Sequence, residues 1–283
     1  MNYFLIFAFV INMACSSSNG LSAIVSENTV LHKQERDKTQ ERSLKGIQVK
    51  PDSPADAVRK FYNLLREKRF RDALMLTNLR PAVEDLTEKE LEDFKEDFEA
   101  ISAQVPDELQ ISGEIISGNE ATVTLKIPDE DTKTLEDKLI KLRKEKESWI
   151  ILMVDEEAET EVKKEGKNYF YQLKIQTHEN EAQLMLQRIA KAQIVYALQN
   201  AGQFTDIKTL VQQNLLPDDI LETKSTGYRY KVVLSSDKKS YYATAEPAIY
   251  GKTGRLSFLM QVDGVDKQAR VQSKDNKGEP LKK

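Results

Sequence analysis

Cysteine is almost absent: Cys15 is the only one in 283 residues, so no intrachain disulfide can form. Histidine is nearly as scarce, with His32 and His178 the full set. That scarcity removes the usual ligands of a zinc site and the imidazole that activates a serine or cysteine nucleophile. A basic excess is lacking too. Lys and Arg total 42 against 46 Asp and Glu, a net charge of −4 with the signs mixed along the chain. Nucleic-acid binders present a basic face, so no nucleic-acid partner is expected. No glycine-rich phosphate loop is present. Gly251-Lys252-Thr253-Gly254 lacks the upstream strand and glycine of such a loop and reads as a turn. Long apolar runs are missing as well. The run from Phe4 to Ala14 is too short to cross a bilayer core, which needs roughly 20 apolar residues. No cofactor, no metal and no catalytic residue is expected.

What the N-terminus does contain is an apolar run that fits the middle of a signal peptide. The run ends at Cys15 and is followed by Ser16-Ser17-Ser18-Asn19-Gly20. This arrangement resembles the signal of bacterial lipoproteins. Ala14 before the cysteine matches that pattern. Asn12 departs from it, since a Leu-like residue is usual there, and Lys and Arg are missing ahead of the apolar run. The resemblance implies a signal peptide over 1–15 and lipidation at Cys15, which makes the membrane a partner through a lipid anchor. The alternative is a signal peptide that is simply cleaved. Ser16, not aspartate, follows the cysteine, so the expected address is the cell envelope, at the outer membrane facing the periplasm.

The rest of the chain suggests two small α+β domains. Residues 16–51 lack sustained apolar periodicity and read as a disordered tether. A first domain is expected over 52–156. Ser53 caps a helix with Pro54 in its first turn, and Val58, Phe61 and Leu65 recur at helical spacing. Phe70, Ala73 and Leu74 suggest a second, short helix. Thr87 and Glu90 form a capping-box pattern ahead of one stripe of Leu91, Phe94, Phe98 and Ile101. The period then changes to two. Leu109, Ile111, Gly113 and Ile115 alternate, Gly118-Asn119 turns, and Ala121, Val123, Leu125 and Ile127 return. A second hairpin is expected around the charged turn Arg143 to Glu147 and the strand Trp149 to Val154, although 133–146 also fits a helix. Phe61 and Trp149 are expected core residues.

Residues 157–179 read as a linker whose aromatics, Asn168 to Ile175, dock on one of the domains. A second domain is expected over 180–272. Met185, Ile189, Ala192 and Tyr196 mark one helix face. Ile207, Leu210 and Val211 suggest a short helix ended by Pro217. Strands follow at Tyr228 to Leu234, Tyr241 to Ala245 and Leu256 to Val262, and Asp263-Gly264 is a hairpin signal. Residues 273–283 read as a disordered polar tail.

The order of helices followed by a curled antiparallel sheet, with Ser53-Pro54-Ala55-Asp56-Ala57-Val58, Phe61-Tyr62 and Glu147-Ser148-Trp149-Ile150-Ile151, resembles the nuclear transport factor 2-like superfamily over 52–156. That resemblance implies a cone of helices on a curved sheet. The second half resembles the globular part of type IV pilins and type II secretion major pseudopilins. The matching residues are Asn180-Glu181-Ala182, Ile189, Ala192-Gln193, Tyr196, Gly202-Gln203-Phe204, Leu210-Val211, Leu215-Leu216-Pro217, Gly227-Tyr228, Ala243-Thr244-Ala245-Glu246-Pro247, Gly254-Arg255, Ser257-Phe258 and Asp263-Gly264. It implies one N-terminal helix packed on an antiparallel sheet. A pilin's long apolar helix extension is missing, so filament assembly is not expected.

Several chemical signals give way to plainer readings. Asp85, Glu88, Glu92 and Asp97 read as a solvated helix face, not a catalytic pair. Asp218-Asp219 with Glu222 does not match a calcium loop and reads as a turn or helix cap. Tyr228, Tyr230, Tyr241, Tyr242, Tyr250 and Phe258 suit core or cross-strand packing better than a glycan or peptide surface. The resulting expectation is a non-enzymatic envelope lipoprotein that binds or scaffolds an unknown envelope protein partner, in the setting of pilus or secretion machinery. The alternative is a ligand binder or enzyme using the cone pocket of 52–156. A pocket plugged by Phe61, Phe94 and Trp149 favours the first.

Overall fold

The structure of the chain, a computed structural model, describes residues 46–128, 135–263 and 268–283. Cys15, the signal segment and residues 16–45 of the expected tether lie outside the described residues, as does Gly264 of the expected hairpin turn. The protein is a mixture of helices and two four-stranded antiparallel sheets, each with its strands in sequence order. It divides into two compact units on either side of the Tyr169–Phe170 bond.

In the first unit, Ser53 caps α1 (Pro54–Arg66), its side chain accepting from the Asp56 N–H, with Pro54 in the first turn. α1 buries Ala55, Val58, Phe61 and Leu65 and packs on the sheet. Asp56 is buried as well, and its carboxylate accepts from the Asp52 N–H at 3.1 Å and from Arg59 at 2.5 Å. α2 (Phe70–Leu74) and α3 (Arg80–Val83) are short. α4 (Glu88–Glu92) opens on the capping box of Thr87 and Glu90. The single stripe expected through Ile101 is interrupted. Asp93 and Phe94 leave helical pairing, and α5 (Lys95–Ser102) starts anew. The break leaves Leu91 and Ile101 half-buried while Phe94 and Phe98 turn fully inward, their ring centres 6.2 Å apart.

The sheet is built from β1 (Gln110–Ser117), β2 (Glu120–Pro128), β3 (Leu135–Glu145) and β4 (Ser148–Ile151). Ser117 faces Glu120 across the two-residue turn Gly118-Asn119, as the alternation predicts. β3 settles residues 135–145 as strand: Ala121 faces Leu142, and Leu142 faces Ile151. Trp149 is only half-buried, which corrects its expected place in the core. β4 is a four-residue edge strand, and Trp149 pairs with Lys144 next to the turn, so the core position falls to Ile151, 2 % exposed. Residues 46–50, expected within the tether, are held beside β1, with the Ile47 N–H donating to Ile111 O at 2.9 Å.

The linker expected over 157–179 is helical instead. α6 (Glu156–Glu165) is capped by Asp155, which accepts from the Ala158 N–H. Acids fill its first turn and Lys163 and Lys164 its last, matching the helix dipole at both ends. Val162, fully buried, anchors it to the first unit. A short 3-10 turn, Gly166–Asn168, leads to α7 (Tyr169–Gln199), which starts well before the expected Asn180.

In the second unit α7 supplies Ala182, Met185, Leu186, Ile189, Ala190 and Ala192 to one core. Against them lie α8 (Ile207–Gln212), a 3-10 turn at Asp218–Leu221 and the inner face of β5 (Tyr228–Leu234), β6 (Tyr241–Pro247), β7 (Leu256–Asp263) and β8 (Gln268–Asp275), with the short α9 (Thr223–Thr226) leading into β5. The tail expected as disordered over 273–283 is partly strand and partly clamped. Ser257 Oγ donates to Glu279 O at 2.7 Å, Asn276 Nδ2 donates to the same oxygen, and Tyr250 Oη donates to Asp275. Ser257 and Thr244, on the sheet face away from the helix, are buried.

Candidate functional site

A cone pocket would open between helices and sheet of the first unit; α1 packs directly on that sheet, and the unit buries a large apolar set. Phe61, Phe70, Phe94 and Phe98 are buried with Val123, Leu125 and Leu142. The Phe70 and Phe98 rings pack at a tilt with centres 5.4 Å apart. Of the acids read as a solvated face, Asp85, Glu88 and Glu92 are exposed, and Glu88 pairs with Arg71. Asp97 departs from that reading: it turns inward beside Phe98 on α5 and is 5 % exposed.

One polar cluster in this unit had no signal in the sequence. Asn78, buried, donates to Val154 O at 2.8 Å and to Glu159 at 3.2 Å, while its own oxygen accepts from the Met153 and Val154 N–H groups. Glu159 on α6 also accepts from Arg143 at 3.0 Å and from Lys163 at 2.5 Å. Burial alone would push the Glu159 carboxyl up. The hydrogen bonds from Arg143, Lys163 and Asn78 outweigh it and hold the group at about 2. With every lone pair engaged, this cluster is a latch, not a proton-transfer site. Its members lie far apart in sequence, which is why no local pattern announced it.

A second junction forms around His178, which is buried on α7, not loose between domains. Its Nδ1–H donates to Thr253 O at 3.1 Å. Burial lowers the imidazole pKa to about 4, with Lys174 adding to the effect and the Thr253 bond opposing it. The imidazole lies so close to Gly227 that a Cβ there would sit 2.2 Å from Nδ1, and Gly227 itself has φ +67°. Beside it, a Cβ on Gly254 would sit 2.1 Å from Tyr228 Oη, which donates to Leu256 O at 2.8 Å. The neighbouring Glu179 carboxylate accepts from the Arg255 and Leu256 N–H groups. The Gly251-Lys252-Thr253-Gly254 turn is thus pinned to the helix by His178 and Glu179.

The remaining candidates are structural in position. Tyr228, Tyr241 and Phe258 are core residues, Tyr230 and Tyr242 are half-buried, and exposed Tyr250 is tied to Asp275 and Lys277. Asp218 and Asp219 open a 3-10 turn after Pro217. Among the described residues no group of three or more His, Cys, Asp or Glu side chains is placed to hold a metal ion. No described helix is long and apolar enough to cross a membrane. An open depression of about 570 Å³ is lined by Val211, Asn214, Leu215, Leu216, Pro217 and Asp218. Its one ionisable group is exposed and faces no second reactive side chain in that lining.

The chain matches no protein-family model and no curated protein. It is similar to a solved structure from Campylobacter jejuni described as an NTF2-like transpeptidase, with 15% identity, 35% of this chain and 97% of that one covered, and a TM-score of 0.26. At that score the likeness bears on neither fold family nor activity.

Proposed function

We propose that this chain is a non-enzymatic envelope lipoprotein, anchored through Cys15 at the outer membrane and facing the periplasm, that binds or scaffolds an envelope protein. In this reading the first unit is a nuclear transport factor 2-like cone, and the second is a pilin-like module that docks but does not polymerise. The observation that supports it is the filled helix–sheet interface of the first unit. Phe61, Phe94 and Phe98, each under 5 % exposed, belong to the packed interior of this unit and leave little room there for a ligand. The Trp149 plug is not part of that support, since Trp149 is half-buried. No cofactor, metal or nucleic acid enters the proposal.

The test is fractionation with cross-linking. Intact chain should sediment with membranes and carry the mass of acyl groups on Cys15, and a Cys15→Ala chain should move to the soluble fraction. Cross-linking of intact cells should give a discrete protein adduct in stoichiometric yield. Unchanged membrane association of the variant, with no added mass on the native chain, would remove the anchor. Native mass spectrometry showing a small molecule retained by the first unit, with no protein adduct, would replace the scaffold with the ligand-binding alternative.

A further inference from the structure

α7 is apolar on two sides. Its inner side enters the second core through Met185, Leu186 and Ile189. On the opposite side, at i, i+10, i+11 and i+14, Leu184 is 46 % exposed, Ile194 53 %, Val195 40 % and Leu198 83 %. At 100° per residue these four lie within one stripe roughly 100° wide, centred about 180° from the buried face. An apolar stripe on a helix is normally covered by a packing partner. Here one side is open.

Charge narrows what covers it. From Ala182 to Thr205 the sequence has no Asp or Glu, while the chain as a whole holds 46. The exposed stripe carries Lys191, midway between Leu184 and Leu198, with Arg188 at its edge. A second copy packed antiparallel about the stripe's midpoint would set Lys191 against Lys191 with no acid nearby on either helix. A membrane surface fits poorly as well. Interfacial helices keep their cations on the polar face, and here Lys191 lies in the middle of the apolar stripe. A helix carrying apolar residues at heptad spacing with carboxylates beside them meets both demands, burying Leu184, Val195 and Leu198 and pairing Arg188 and Lys191.

We infer that the outward face of α7 docks an acidic amphipathic helix of a partner protein. This rests on the binding-module reading and names the chemistry of the partner.

The test uses full-length chain and two labelled synthetic three-heptad helices with Leu at every a and d position, one with Glu and one with Lys at e and g. Like charges keep each peptide from pairing with itself. Fluorescence anisotropy should show the Glu peptide binding at least about tenfold more tightly than the Lys peptide. Leu198→Ser should weaken the Glu peptide about tenfold, and Lys191→Glu should reverse the preference. Both side chains are solvent-facing, so circular dichroism of the variants should match the parent. Equal binding of both peptides, binding of neither, or indifference to Leu198→Ser overturns the inference. So does Leu198-dependent sedimentation of Cys15→Ala chain with phosphatidylglycerol vesicles, which assigns the face to lipid. A concentration-dependent dimer lost in Leu198→Ser assigns it to a second copy and overturns it equally. If intact cells yield a protein adduct that Leu198→Ser leaves unchanged, the binding-module reading stands and the α7 inference alone falls.

Discussion

His178→Asn should uncouple the stability of the second unit from mildly acidic pH. Folded, the imidazole is held neutral with a pKa of about 4, because burial disfavours the imidazolium and Lys174 repels it. Unfolded, it returns to its ordinary 6.5. Between those values the unfolded chain binds the proton and the folded chain does not. Stability therefore falls as pH drops from 6.5 towards 4 and is fully present above 6.5. A gap of about 2.5 pKa units corresponds to roughly 3 kcal/mol. For a unit of this size that is on the order of 10 °C in Tm.

Asparagine is the informative replacement. Its Nδ2 can occupy the place of Nδ1–H and keep the bond to Thr253 O, 3.1 Å away in the parent, but it does not titrate. The smaller side chain lowers stability at every pH, so the quantity that matters is the difference between variant and parent across pH. Calorimetry of full-length chain from pH 7 to pH 4 should show the parent losing roughly 3 kcal/mol more than His178→Asn in the second unit's transition. Carboxylates such as Glu159, whose folded pKa is lowered to about 2, lose their contribution below about 4.5, but they do so in both proteins and cancel. Parallel curves for parent and variant would refute a buried neutral His178.

Further outcomes test the packing. Asn78→Ala strands the Met153 N–H and Val154 C=O that Asn78 satisfies; it should cost roughly 2–4 kcal/mol, read by urea denaturation, and admit protease at α6 first. Gly254→Ala should cost about 1–3 kcal/mol by forcing the Tyr228 ring from its place, and a neutral result would show that the Gly254 backbone moves freely. Phe61→Ala should cost roughly 3–5 kcal/mol. Trp149→Ala should cost clearly less, because Trp149 is half-buried where Phe61 is 4 % exposed. Equal losses for the two would put Trp149 back in the core.

The elements legible in the sequence were those whose signal is local. The Ser53 and Thr87 caps and the Gly118-Asn119 hairpin each depend on residues within four positions of one another. The segment 157–179, linker-like in its charge, carries a helix signature at its start: an Asp155 cap, acids then lysines, Glu159 four residues before Lys163, and Gly166 at the end. Its density of charge hid this, because a single buried apolar side chain, Val162, suffices to dock a helix whose other anchor is the ionic latch on Glu159. The latch itself joins residues 78, 143, 154 and 159 through pairings that only the folded sheet creates. The His178 junction is of the same kind, linking α7 to a turn 75 residues away.

α7 shows the limit from the other side. The stripe of Met185, Ile189, Ala192 and Tyr196 is enough to place one helix face on a sheet, and once one face is explained the periodicity offers no reason to search for another. Yet Leu184, Val195 and Leu198 were equally visible at i, i+11 and i+14. Their meaning depends on which face the sheet takes, and that follows from the size and position of Tyr228, Tyr241 and Phe258 on strands far along the chain. A helix with two apolar stripes has two candidate inner faces. The unit chose the one whose Ala182, Ala190 and Ala192 let the backbone approach the aromatic sheet. Lys191 lies on the other stripe and Arg188 at its edge, where burial against that aromatic face would have stranded both charges. The same two cations that keep this stripe out of the core therefore set the sign of what can cover it.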